Sequence, residues 1–313
     1  MPSHYMSKTE AVAFLTDKLR LQLTDSELAS LSLALLQKIC TAFVAHLPFS
    51  TIFHLSGPTD QLHTRDLPTL EQVKHNGLNL KGGLCYELNV FLHWLLAALG
   101  FSVEFLMAKG YSCHVYNHAL NYVTIDGARY LVDGASYPLV TETLICLDFQ
   151  GEVSPVSRHS IWEVRVKRTV MDGEPALLLQ FRWTDNVAIP HWKVPVDTDG
   201  WVDVNEFILR PRSLEELYAP LKRAYTDATI APVINRVFCF SFPQGKFLNV
   251  RNTSLHTEDD QRRLVMRPST HSPEELVQLV MTHYGDHFQV EVVEQAVRNF
   301  VVLCEGAFSP TFM

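Results

Sequence analysis

Lys81-Gly82-Gly83-Leu84-Cys85-Tyr86-Glu87-Leu88-Asn89 sets one cysteine behind a glycine pair and ahead of an apolar run at helical spacing. Glycine reaches backbone angles closed to other residues, so Gly82-Gly83 permits a sharp turn into a helix and the close approach of a substrate. Leu88, Leu92, Leu95, Leu96 and Leu99 recur at helical intervals, and Gly100 supplies the stop. Cys85 then falls in the first turn, where unpaired N–H groups and the helix dipole favour an anion and can hold an oxyanion. The other reading of this pattern is a buried structural cysteine on a core helix. Partners elsewhere in the chain decide between the two.

Those partners lie downstream. From His118 to Asp133 the chain reads as two β-rich runs joined at Asp126-Gly127, a strong hairpin-turn signal. With Asp126-Gly127 alone as the loop, Ile125 faces Ala128 and Asp133 falls opposite Leu120. With a loop from Asp126 to Arg129, Asp133 falls opposite Tyr122. Both registers put Asp133 on the face of His118, because side chains alternate with period two and diagonal neighbours sit about 7 Å apart. A carboxylate on one ring nitrogen fixes the imidazole tautomer and supports the imidazolium formed when the other nitrogen takes a thiol proton. Taken singly, His118 reads as a core histidine and Asp133 as a strand-end turn residue. In the order Cys, His, Asp they read as a nucleophile, its base and the base's orienting group.

With these residues in view, the chain resembles the arylamine N-acetyltransferase family. That family's signature is Arg-Gly-Gly-x-Cys, then a glutamate or similar residue and an asparagine; Gly82, Gly83, Cys85 and Asn89 match it in place. Pro48-Phe49 fits the family's Pro-Phe-Glu-Asn element, and Pro243-Gln244-Gly245 its Pro-x-Gly turn. The resemblance implies an α+β fold: an N-terminal helical bundle at 1–100 carrying Cys85, a central β-barrel at 101–204 carrying His118 and Asp133, and a C-terminal α/β lid at 205–313. It also implies an acyl-CoA-dependent arylamine N-acyltransferase of xenobiotic metabolism, with acetyl-CoA as donor, an arylamine or arylhydrazine as acceptor and ping-pong kinetics through an acyl-Cys85 thioester. Coenzyme A thioester is then a co-substrate, and no tightly bound cofactor is expected. Phe49, Tyr116, Thr226 and Thr229 are the candidate substrate and coenzyme contacts.

Three departures stand out. The signature arginine is Lys81, and the glutamate of the Pro-Phe-Glu-Asn element is Ser50. A Lys81–Ser50 contact is expected in place of an ion pair, and an ammonium does not reproduce a bidentate guanidinium. After the aspartate the chain writes Gly134-Ala135-Ser136-Tyr137 where the family has x-Gly-x-Gly. These departures keep alive a family member with impaired catalysis that acts as a binding protein. A papain-like or transglutaminase-like cysteine hydrolase is the other alternative, because both use Cys, His and Asp in this order.

Composition bounds these readings. At 313 residues, 47% apolar and 19% charged, the chain can bury a sizeable core. A formal charge of -8 argues against a general nucleic-acid or anionic-membrane surface, so the anionic coenzyme needs a locally positive cleft. Cys40, Cys85, Cys113, Cys146, Cys239 and Cys304 are dispersed without a CxxC pair, which fits a reduced cytoplasmic enzyme. No signal peptide is expected in the polar start of the chain. The apolar stretch from Val90 to Ala108 is interrupted by His93, Gly100 and Glu104, and reads as helix then strand, not a membrane span.

The remaining signals place the other elements. Thr24-Asp25-Ser26-Glu27 is a capping box for a helix through Leu28, Leu31, Leu35 and Ile39. Trp162, Val164 and Val166 alternate as a strand, and Leu177, Leu179 and Phe181 continue beyond a turn. Ser213-Leu214-Glu215-Glu216 and Ser272-Pro273-Glu274-Glu275 are helix starts, with 233–242 and 246–250 strand-like between them. Trp183, Trp192 and Trp201 are expected to pack the barrel. His114 and His118 have the spacing of a helical metal pair, but their β-rich setting argues against one, and no metal site is expected. Lys222-Arg223, with Thr226 and Thr229, is either a solvated basic helix end or a coenzyme contact.

Overall fold

The structure is a computed structural model that describes residues 5–61, 64–110, 113–135, 144–184, 197–267 and 269–304. Up to Gly100 the chain is helical: α1 (Lys8–Ala13), α2 (Asp25–Ser30), α3 (Leu33–His46), α4 (Ile52–Leu55), α5 (Leu70–Leu78) and α6 (Cys85–Leu99), with one two-residue strand, β1 (Phe49–Ser50). Seven strands follow: β2 (Ser102–Gly110), β3 (Val115–Ile125), β4 (Ala128–Val132), β5 (Ser157–His159), β6 (Trp162–Met171), β7 (Glu174–Trp183) and β8 (Val202–Phe207). The last stretch alternates α7 (Leu214–Thr226), β9 (Phe238–Ser241), β10 (Leu248–Arg251), β11 (Ser254–Glu258), β12 (Leu264–Arg267), α8 (Pro273–Tyr284) and α9 (Val290–Leu303). None of the described helices is long and apolar enough to cross a membrane.

Helix α6 is the centre of the fold. Every residue from Cys85 to Leu96 is buried, and Gly100 ends the helix at φ 105°. A helix buried on all sides belongs inside a core. Truncating a wholly buried side chain such as Leu95 to alanine costs about 3 kcal/mol. The helix packs on β2 and β3 of a curled seven-stranded sheet, ordered β4-β3-β2-β8-β7-β6-β5. In that sheet Ile125 pairs with Ala128 and Asn121 with Val132, so the loop is Asp126-Gly127 alone and both of its residues take positive φ. The shorter of the two expected registers is therefore the one adopted.

The second sheet, ordered β1-β9-β10-β11-β12, joins distant parts of the chain. Phe49 pairs with Phe240 on one side and bridges Gly83 on the other. The helical third thus contributes the edge strand of the sheet that α8 and α9 cover. Two expectations are corrected here. The Thr24 capping box forms, but its helix stops at Ser30 because Leu31 turns left-handed (φ 43°) and Ser32 caps a separate α3. Residues 233–242 are not one strand: Pro232–Asn235 is a turn of 3-10 helix, favoured by proline at its first position, and strand begins only at Phe238.

Candidate active site

The glycine pair fixes where α6 begins. Gly82 takes φ +66°, and a Cβ there would drive into the carbonyl of Pro48. A Cβ on Gly83 would meet the Glu87 carboxylate at 2.6 Å. The close approach that these glycines permit is made by the Pro48 carbonyl at Gly82 and by the Glu87 side chain at Gly83. Ser50 N–H donates to Gly83 O (2.9 Å) and Gly83 N–H to Pro48 O (3.3 Å), tying the helix entry to β1. Leu84 is the N-cap, and its N–H donates to Glu87 Oε2 (2.8 Å). Cys85 follows as the first helical residue, where backbone N–H groups have no partner within the helix.

The structure brings Cys85, His118 and Asp133 together. His118 Nε2 donates to Asp133 Oδ2 at 2.6 Å and the ring also interacts with Cys85, which leaves Nδ1 to the thiol, while the Cys85 Sγ–H is directed at Asn117 O (3.8 Å). Burial lowers the His118 pKa, but the Asp133 charge, its hydrogen bond and Cys85 outweigh that cost and push it up to about 10. Burial pushes Cys40 up to about 12, and Cys239 likewise although its contact with Ser50 opposes the shift. All six cysteines are free.

Asp133 is held from behind. Its Oδ1 accepts from Asn89 Nδ2 (2.9 Å) and Ala135 N–H (2.9 Å). Asn89 Nδ2 also donates to Ala119 O (2.7 Å), and its Oδ1 accepts from Gly134 N–H (2.8 Å). Asn89 lies one helical turn beyond Cys85, so α6 presents the Cys85 thiol and the support of Asp133 on one face.

A cleft of about 290 Å³ opens above this floor. Phe49 lines it, stacked on Phe240 (5.0 Å) and edge-on to Phe238 (5.9 Å). Tyr225 and the stretch from Ile230 to Ile234 complete that wall. Tyr225 O–H donates to Glu87 Oε2 (3.0 Å), linking α7 to the nucleophile helix, and burial pushes the Glu87 carboxyl up against the donors that face it. Of this wall the sequence names Phe49 but not Tyr225 or residues 230–232, and Val233 and Ile234 read there as strand.

The other expected residues fall outside the cleft. Tyr116 lines a neighbouring depression with Lys109 and Arg223, which shares Ile230 with the Cys85 cleft. Thr226 Oγ1 donates to Lys222 O (3.1 Å) and Thr229 Oγ1 to Asp227 Oδ1 (2.5 Å), so both hydroxyls bond within their own turn. Lys222 pairs with Asp66 (3.3 Å). The expected Lys81–Ser50 contact does not form: Lys81 Nζ lies 3.4 Å from His75 Nε2 and over the Phe53 ring, while Ser50 Oγ sits 3.3 Å from Cys239 Sγ. Backbone of Gly83 occupies the place beside β1, which leaves Lys81 to the outer side.

Cys113 and His114 stand in the turn between β2 and β3, His114 at φ 52°, and not on a strand. His114 therefore makes no helical pair with His118. Among the described residues no group of three His, Cys, Asp or Glu side chains could hold a metal. Trp201 is buried between the guanidinium groups of Arg165 (4.0 Å) and Arg182 (4.8 Å), and Trp183 packs edge-on to Phe181. Trp192, Ser136 and Tyr137 lie outside the described residues.

Comparison with known proteins adds the family. A search of curated proteins found no match. The fold is similar to the arylamine N-acetyltransferase of Mycobacterium abscessus, at 17% identity, 96% of each chain and a TM-score of 0.74. It is similar also to the Nocardia farcinica enzyme, at 18% identity over 95% of this chain and 97% of that one, with a TM-score of 0.72. The Mycobacterium marinum enzyme, solved in complex with CoA, matches at 17% identity over 91% of this chain and 97% of that one, with a TM-score of 0.69. The N-acetyltransferase family model matches residues 32–296. On that match, and with the fold shared by arylamine N-acetyltransferases, the chain belongs to the N-acetyltransferase family of enzymes.

Proposed function

We propose that the chain is an acyl-CoA-dependent arylamine N-acyltransferase that works by double displacement through Cys85. The observation that carries this reading is the His118 imidazole held between the Asp133 carboxylate and the Cys85 thiol at the floor of the cleft. His118 takes the thiol proton, and the Cys85 sulfur attacks the thioester carbonyl of the donor. The tetrahedral adduct collapses as the coenzyme thiolate leaves with the proton from His118, giving an acyl-cysteine. An aromatic amine then attacks that carbonyl, His118 takes a proton from its nitrogen, and the Cys85 sulfur departs. The Cys85 N–H, at the helix start, is the donor best placed for the oxyanion.

Division of labour along the chain follows from this chemistry. Residues 1–100 supply the nucleophile, 101–204 the histidine and aspartate, and 205–313 the wall that closes over them. Acetyl-CoA is the favoured donor, in keeping with the CoA complex of the Mycobacterium marinum relative. Arg223, beside a Lys109 that is paired with Asp172 (2.6 Å), gives the adjoining depression positive charge for a polyanionic coenzyme on a chain of net charge -8. Tyr116 lies in that depression, whereas the locally bonded Thr226 and Thr229 make weaker coenzyme contacts. Phe49, with Phe240 behind it, suits an aromatic acceptor such as a xenobiotic amine. A cytoplasmic setting, with its reduced thiols, suits a free nucleophilic cysteine.

The test is intact-mass measurement after mixing with acetyl-CoA in the absence of amine. An acetyl adduct on Cys85, lost in Cys85→Ala, is expected. Amide or peptide cleavage with no adduct would favour a cysteine hydrolase, and acetyl transfer by Cys85→Ala at the wild-type rate would refute the assignment.

A further inference from the structure

Behind Asn89 the polar chain continues into the core. Asn121 Nδ2 donates to Asn89 O (3.1 Å) and lies 3.4 Å from Asn89 Oδ1. Asn121 Oδ1 lies 3.1 Å from His93 Nδ1. Because that oxygen can only accept, His93 is the donor, and its ring is fixed flat against Phe105, with centroids 3.8 Å apart and planes 10° apart. Asn89 and Asn121 are wholly buried, and His93 is 7% exposed. Cys85, Asn89 and His93 form a row at i, i+4 and i+8 along α6.

Every donation in this row points the same way. His93 donates to Asn121, Asn121 to Asn89, and Asn89 to Asp133 Oδ1, while His118 donates to Asp133 Oδ2 from the opposite side. Reversing the Asn121 carboxamide would set its NH2 against the His93 N–H and its oxygen against two Asn89 oxygens. The Asn89 carboxamide is locked in turn, with both hydrogens donated and its oxygen accepting from Gly134 and Asn121.

We propose that His93 and Asn121 are positioning residues: they lock the Asn89 carboxamide, which aims the Asp133 carboxylate at His118 and so sustains the imidazolium beside Cys85. This rests on the triad reading above. Burial keeps His93 neutral, its pKa pushed down to about 4, so the row remains uncharged at neutral pH and donates without adding charge. The titratable groups that face His118 are Asp133 at the end of β4 and Cys85 on α6; Glu87 is turned to Tyr225 of α7.

The experiment compares wild type with His93→Phe/Asn121→Leu by the pH dependence of Cys85 alkylation with iodoacetamide, read at the peptide level. Removing both partners together leaves no orphaned polar group between them, which limits the folding penalty. Alkylation needs no acyl donor. The profile therefore reads the Cys85–His118 pair even if the chain fails to accept an acyl group, and the two readings fail separately. With a less firmly held Asp133 the imidazolium loses its proton sooner, so the upper inflection is expected to fall by about one pH unit. Acetyl-CoA acylation is expected to slow about tenfold, as a misaimed base implies. His93→Gln, which keeps an N–H donor, is expected to restore the wild-type profile. If the double variant does not fold, Asn121→Thr is expected to show the same downward shift. Profiles that superimpose on wild type, with or without lowered stability, would reduce the row to a structural role and overturn the proposal.

Discussion

The floor of the site and its wall are built on different plans. On the floor, Cys85, His118 and Asp133 come from one helix and one hairpin, and Asp133 alone has three hydrogen-bonding partners in His118, Asn89 and Ala135. The wall draws Phe49 from β1, Tyr225 from α7 and Ile230 to Ile234 from the turn beyond it, and apolar and aromatic contacts dominate. A buried, fully bonded floor leaves one geometry available to the reacting atoms. A wall of aromatic and aliphatic side chains constrains shape more than chemistry, which is where acceptor preference can change without loss of the reaction.

Breaking the floor is expected to have the largest effect. Asp133→Asn keeps the shape but removes the charge that sustains the imidazolium, and acylation is expected to fall about a thousandfold or more in single-turnover measurements. Next comes the joint between floor and wall. Gly82→Ala places a Cβ against Pro48 O at φ +66° and is expected to cost about 3 kcal/mol, read from the denaturant midpoint. The wall itself is sharpened by Phe49→Ala, which is expected to raise the KM for an arylamine about tenfold while acylation by the donor stays near wild type. Equal losses in both half-reactions would merge wall and floor into one unit. The smallest effect is expected at Lys81→Met, within about 0.5 kcal/mol of wild-type stability, because Lys81 faces His75 and Phe53 on the outer side.

The floor and the rest of the core also differ in their response to pH. His118 is raised from 6.5 to about 10, so the stability it contributes is complete below pH 6.5 and is lost as pH rises towards 10. His93 and His256 are lowered to about 4 and His159 to about 3 by burial, so their contribution is lost as pH falls from 6.5 through those values. Chemical denaturation across pH is expected to show a maximum near neutrality, with His118→Gln flattening the alkaline side alone.

The same contrast governs what could be read from the chain. Helix α6, with Cys85 in its first turn and its stop at Gly100, was legible because leucine spacing and the glycines are local signals, and both registers open to the Asp126-Gly127 turn put Asp133 on the face of His118. The sequence reading missed that the polar residues of α6 are interior: Asn89 and His93 fall on a stripe with Cys85, but their partners Asn121, on β3, and Gly134, in the bend after β4, are brought near only by the tertiary fold. Of the wall it reached only Phe49, for a related reason. Phe49 meets Phe240 across nearly two hundred residues, and the Pro232 turn has strand-like composition that proline overrides. Lys81 was expected to answer Ser50, yet neither residue type nor spacing states which side of the chain a side chain leaves by.

A covalent relay through Cys85 is tested most sharply by the release of free coenzyme thiol when the enzyme meets acetyl-CoA with no amine present. It predicts a burst approaching one equivalent per chain, followed by quantitative transfer of the acetyl group to an arylamine added after the unbound donor is removed. No burst, with coenzyme released only when donor and amine are present together, would contradict a covalent relay through Cys85.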